Sequence, residues 1–194
     1  MAKKSDTMTV KELFEQIGVG RFDRVQWGQP CNCQSPGVYI VSTGVDSDSN
    51  SGTTPEPRFD DPAFRRWIDR LPGFTIDGVK PTVETLKKRL SEFWLPEENI
   101  LYIGQTESSL SKRIGAYYRT ELGARAPHSG GQWLKTLADI DSLTVYYASV
   151  RNPKNKEKAL FAYFVEQAGN LPFANLEGPN GKKRHGLKGQ RDPK

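Results

Sequence analysis

The sequence predicts an α/β (α+β) domain: a small mixed, mainly antiparallel three-stranded sheet flanked by helices, with a long helical insertion between the first two core strands. Runs rich in β-branched and aromatic residues occur at residues 38–41, 99–104 and 143–150. Between and after them, apolar residues recur at helical spacing. Residues 42–98 separate the first run from the second, and two of the helical patterns lie inside that stretch.

Each element follows from local chemistry. Thr9 and Glu12 form a capping-box pattern at the start of a helix whose apolar residues are Val10, Leu13, Phe14 and Ile17. Pro36 and Gly37 punctuate the chain before the strand Val38-Tyr39-Ile40-Val41. Residues 42–54 are mostly Ser, Gly, Asp, Asn and Thr, have little to bury, and are expected to form a mobile surface loop. Residues 61–70 and 82–93 read as helices, the second on the spacing of Val83, Leu86, Leu90 and Phe93, with Pro96 ending it. Strand character returns at 99–104, and residues 109–121 form a helix carrying Arg113, Tyr117 and Tyr118. A short helix at 129–137, a strand at 143–150 and a helix at 157–167 ending before Gly169 complete the core. The expected organisation is an N-terminal helical segment, 1–35, a core domain, 36–178, with the insertion 42–98, and a basic C-terminal tail, 179–194, expected to be mobile.

A chain of 194 residues fits one catalytic domain. Lys and Arg outnumber Asp and Glu by 28 to 23, a net charge of +5, a balance that suits a polyanionic partner without demanding one. No apolar stretch is long enough to span a bilayer and the N-terminus is polar, so a cytoplasmic protein without membrane contact is expected. Cys31 and Cys33, one residue apart, are expected as free thiols; with His128 or His185 they make only a weak zinc pattern.

The chemistry concentrates in two similar tripeptides on adjacent strands, Gly37-Val38-Tyr39 and Tyr102-Ile103-Gly104, with Arg113 nine residues beyond the second glycine. Two antiparallel strands would present their tyrosines toward one surface, where the following helix supplies a permanent cation suited to a phosphate. Tyr117 lies one helical turn from Arg113 on the same face. Together with Pro36, Gln105-Thr106, His128-Ser129, a helical glutamate and Pro172-Phe173-Ala174-Asn175, this order resembles the GIY-YIG nucleases over residues 36–41 and 99–175. The insertion is far longer than the short turn typical of that family.

The resemblance implies a metal-dependent endonuclease acting on double-stranded DNA, most similar in kind to the stand-alone type II restriction members, with Mg2+ or Mn2+ as cofactor. A repair or mobile-element nuclease, or a catalytically inactive domain that binds nucleic acid or protein, are the alternatives. It implies that Tyr39 is the general base, Tyr102 its hydrogen-bonding partner, Arg113 the phosphate clamp and Glu157 the metal ligand. Tyr117 and His128 would be auxiliary catalytic groups, and Gly37, Gly104 and Asn175 structural neighbours. The usual spacing leaves Glu166 as the alternative ligand. Glu157 is preferred because it lies in line with the buried stripe of Leu160, Phe161, Phe164 and Val165, whereas Glu166, nine residues away, points to the opposite side. The insertion would carry sequence readout and dimer contacts in a homodimer; Arg65, Arg66, Lys87, Lys88 and Arg89 there suit DNA phosphates, or form only a solvated helix face.

Overall fold

A computed structural model describes residues 8–76, 78–124, 126, 130–176 and 187–188. The chain begins with helix α1 (Val10–Gln16), closed by Thr9 and Glu12 in the reciprocal capping box its sequence predicts. A strand follows, β1 (Asp23–Gln26), and then β2 (Gly37–Ser42). The insertion holds α2 (Asp61–Arg70), a two-residue strand β3 (Thr75–Ile76) and α3 (Val83–Ser91). The core resumes with β4 (Ile100–Thr106), α4 (Leu110–Arg119), the 3-10 helices η1 (Gln132–Thr136) and η2 (Ile140–Ser142), β5 (Thr144–Ser149) and α5 (Pro153–Ala168).

The sheet has four strands in the order β1-β5-β2-β4, and every pairing in it is antiparallel. The expected sheet is mixed, mainly antiparallel and three-stranded; the antiparallel character agrees, and the strand count is corrected to four. The missed strand, Asp23-Arg24-Val25-Gln26, lies in the segment expected to be helical; it is an edge strand with no buried residue, so it lacks the apolar alternation that betrays a strand. Residues 8–35 are therefore part of the core: α1 packs on α5, and β1 extends the sheet.

β2 is buried along its whole length because both sheet faces are covered. On one face Val38, Ile40, Ile103, Tyr146 and Ala148 meet Leu13 and Phe14 of α1 and Leu160, Phe161 and Phe164 of α5. On the other, Tyr39, Val41, Tyr102, Val145 and Tyr147 meet Ile114 and Tyr117 of α4, Trp133 and Leu134 of η1, and Phe64 and Leu90 of the insertion. A strand covered on both faces needs a continuous apolar run rather than an alternating one, and Val38-Tyr39-Ile40-Val41 supplies it.

Three smaller expectations change. The helix expected at 129–137 is the shorter 3-10 element η1, entered through Gly131 in the left-handed region at φ 63°. The loop 42–54 is anchored rather than mobile. Lys11 N donates to Ser47 O at 3.0 Å, Asn50 Nδ2 reaches both Met8 O and Glu98 Oε2, and Thr53 N donates to Pro96 O. Of the tail, the two described residues form β6 (Leu187–Lys188), paired antiparallel with β3 of the insertion. No helix among the described residues is long and apolar enough to cross a membrane.

Candidate functional site

Tyr39 and Gly104 face each other directly in the β2–β4 ladder. A Cβ at Gly104 would lie 2.5 Å from Tyr39 Cζ and 2.8 Å from Tyr102 Cε1, so glycine is required for the phenol of Tyr39 to cross the backbone of β4. Gly37 serves two further contacts: a Cβ there would fall on the backbone carbonyl of Ala148 in β5 and 2.5 Å from Leu110 Cδ1, so its absence lets β5 and the first residue of α4 rest against β2. The glycines of both tripeptides thus bring rings and helix close together.

α4 carries Arg113 and Tyr117 and is held at its N-terminus by the strap that precedes β2. Leu110 N donates to Ser35 O at 3.0 Å and Ser111 N to Cys33 O at 2.8 Å, while the Ser109 hydroxyl caps Lys112 N. Held this way, Tyr117 places its ring 5.3 Å from that of Tyr102, tilted, and 6.5 Å from that of Tyr39, edge-to-face, and Trp27 meets it edge-to-face at 5.0 Å. The Tyr117 hydroxyl donates to Gly131 O at 2.5 Å.

Hydrogen bonding with the Tyr102 hydroxyl and with the Arg113 guanidinium bears on the Tyr39 hydroxyl. Burial raises the Tyr39 hydroxyl above its ordinary range; the charge of Arg113 and these two hydrogen bonds pull against it, and the carboxylate of Glu157 adds to the rise. Tyr102 and Tyr117 are pushed well above theirs, chiefly by burial and then by the neighbouring tyrosines. Exposure is 0 % at Tyr39, 1 % at Tyr117 and 6 % at Tyr102. The two strand tyrosines therefore share one cluster, but within a packed core rather than on an open surface.

Arg113 is half-buried, and its Nε has no hydrogen-bond partner among the described residues. The second charged group at the site is Glu157, on the helix that covers the opposite sheet face. Burial pushes its carboxyl up to about 7, with Arg113 opposing the shift. Glu157 is half-buried one turn before the buried Leu160 and Phe161 and acts electrostatically on Arg113 and Tyr39, while Glu166 is exposed. Beside the first turn of α5 opens a shallow cleft of about 620 Å3, lined by Ser35, Pro36, Glu107, Ser149, Arg151 and Asn152.

Asn175 sits apart from this chemistry: its Oδ1 accepts from Ile103 N at 2.9 Å and its Nδ2 donates to Ile103 O at 2.8 Å, closing the outer edge of β4. His128 lies outside the described residues. On the insertion, Arg66 pairs with Asp60, Lys87 with Asp61 and Arg89 with Glu92, so these cations are already partnered; Arg65 and Lys88 are exposed on the same helices. The cysteines are free thiols, and no group of three or more His, Cys, Asp or Glu able to hold a metal occurs among the described residues. Two features lay beyond sequence reasoning. One is Trp27, a lone aromatic in a polar segment; the other is Lys135 of η1, whose ammonium lies 5.9 Å from the centroid of the Tyr117 ring.

No family model, no curated protein and no solved structure matches this chain.

Proposed function

We propose that the chain is a metal-dependent endonuclease that hydrolyses phosphodiester bonds in double-stranded DNA, of the kind found among stand-alone type II restriction members of the GIY-YIG nucleases. The observation that carries this reading is the convergence on one phenol: the charge of Arg113 and hydrogen bonding with Tyr102 and Arg113 hold the Tyr39 hydroxyl down against burial, and the same arginine opposes the rise at Glu157. Such donors favour negative charge on the Tyr39 oxygen, which suits a group that takes a proton from water. Arg113, half-buried, brings a permanent positive charge to that phenol, which suits a phosphate oxygen. Tyr117, tied to Gly131, orients the cluster from behind.

Glu157 would hold Mg2+ or Mn2+. A half-buried carboxylate raised to about 7, with one arginine as its opposing charge, fits a hard cation that keeps most of its waters. Such an ion supplies Lewis-acid stabilisation of the phosphoryl oxygens and a more acidic water. Tyr39, protonated at neutral pH in the structure, needs that added positive charge before it can serve as base.

The test is incubation of the purified protein with plasmid and phage DNA, with Mg2+ and with excess EDTA, beside the Arg113→Ala variant. Cutting only with the cation, and none by the variant, is expected; undiminished cutting in EDTA would remove the metal, and wild-type cutting by Arg113→Ala would remove the arginine. A second reading draws on burial: rings exposed by 0–6 % can equally be a packing core, in a domain that binds nucleic acid without cutting it. Band shifts without cleavage in the same experiment select that reading.

A further inference from the structure

Arg113 and Tyr117 act from one ten-residue helix, so their alignment is only as firm as its two ends. The C-terminal end of α4 would leave carbonyls without partners. The Thr120 hydroxyl returns to Ala116 O at 2.7 Å, and the carbonyls of Tyr118 and Thr120 both accept from a single ammonium, Lys135 Nζ, at 3.2 Å for Tyr118. The same ammonium lies over the face of the Tyr117 ring. Lys135 is held in its turn: the neighbouring Trp133 indole donates to Phe173 O at 2.9 Å, Gln132 bridges Gly123 N and Ala124 O, and Gly131 accepts from Tyr117.

We propose that Lys135 is a positioning residue: its charge seals the negative end of α4 and grips the ring of Tyr117, and so sets Arg113 and Tyr117 against Tyr39. This rests on the nuclease reading of the site. The groups facing the ammonium are Tyr117 and Tyr118 from α4 and Glu121 just beyond it, and the Glu121 carboxylate is engaged by Arg70 of α2. Lys135 thus holds a half-buried charge whose partners are dipoles and a ring face rather than a carboxylate of its own, an arrangement an apolar side chain would make less costly. Burial lowers the ammonium to about 8, opposed by Glu121, whereas burial raises the surrounding tyrosines. As pH climbs past neutrality, Lys135 is the first of these groups to change charge, and the alignment of α4 loosens with it.

The experiment compares wild type, Lys135→Met and Lys135→Arg on duplex DNA with Mg2+ from pH 6 to 10. Arginine keeps its charge across that range. Lys135→Met is expected to lower kcat by about 10- to 100-fold at unchanged KM, the scale of a small misplacement of catalytic groups. The wild-type kcat should fall above about pH 8, and Lys135→Arg should retain activity and lose that alkaline limb. Wild-type kcat in Lys135→Met, or an identical alkaline limb in Lys135→Arg, overturns the proposal. Tryptophan emission decides even if the wild type cuts nothing, because Trp27 meets Tyr117 edge-to-face and Trp133 lies two residues from Lys135. A change in emission near pH 8 in wild type, absent in Lys135→Arg, supports the positioning role, and a flat wild-type titration refutes it.

Discussion

Replacing Asn175 by alanine removes an acceptor and a donor that serve one residue, the N–H and C=O of Ile103. Asn175 is 6 % exposed and Ile103 1 %, so water does not readily take over either backbone group. An orphaned buried donor or acceptor costs about 1–3 kcal/mol, which places the two losses together at about 2–6 kcal/mol. For a chain of this size each kcal/mol moves the melting midpoint by about 2–4 °C, so Tm should fall by about 4–24 °C. Asn175→Asp keeps the acceptor for Ile103 N but turns a second oxygen toward Ile103 O, acceptor against acceptor, and should fare no better. Calorimetry in EDTA at neutral pH reads the stability, and a cleavage assay well below the midpoint reads the site. Loss of Tm with cleavage retained by the folded fraction is the expected pair. A midpoint within 2 °C of wild type would falsify the view that Asn175 holds the edge of β4, and abolished cleavage in a stably folded variant would place it in the chemistry.

Glu157→Gln should eliminate cleavage with little effect on DNA binding in Ca2+, and Glu166→Gln should retain activity; the opposite pattern overturns the choice of ligand. Because burial raises the Glu157 carboxyl to about 7, its ionisation costs fold stability as pH climbs from the ordinary carboxylate range through 7. Glu157→Gln should therefore gain Tm relative to wild type at pH 8 but not at pH 5, and Mg2+ should restore wild type alone; equal differences at both pH values count against a buried charge there. Gly104→Ala should fold but not cut, since the added methyl lands 2.5 Å from the Tyr39 ring; unimpaired cleavage would show that the ring position is unimportant. Asn50→Ala leaves the buried Glu98 without the donor from the anchored loop and should cost about 1–3 kcal/mol, read by denaturant titration at pH 8; no change in midpoint would mean the loop is not held there.

Much of this arrangement is legible in the chain because the strongest signals are local. The capping box of α1, the helical spacing of Leu86 and Leu90 and the unbroken apolar run of β2 each specify their element from a few neighbouring residues. The same is true of the different burial of Glu157 and Glu166, which follows from helix periodicity: one is half-buried in line with Leu160 and Phe161, and the other is exposed. What the sequence conceals depends on partners distant along the chain. β1 has one partly buried residue and is a strand only because β5 pairs with it. The polar loop 42–54 looks unstructured until the N-terminus of α1 and Glu98 are placed beside it. Lys135 reads as an ordinary surface lysine until α4 ends against it.

The central position of β2 bears on how the protein comes to exist. Its two neighbours are β4, beyond the whole insertion, and β5, more than a hundred residues downstream, so an entirely buried strand must wait for partners made long after it. Closing loops of that length before any pairing is rewarded makes for slow folding, and an unpaired apolar strand is the segment that associates wrongly in the interval. On a ribosome the sheet cannot assemble until Ser149 has emerged, and Glu157 follows only after that. If the chain cuts DNA, it does so only as a finished product: a nascent or prematurely terminated chain holds Tyr39 and Arg113 but has neither the strand that flanks them nor the carboxylate that completes them.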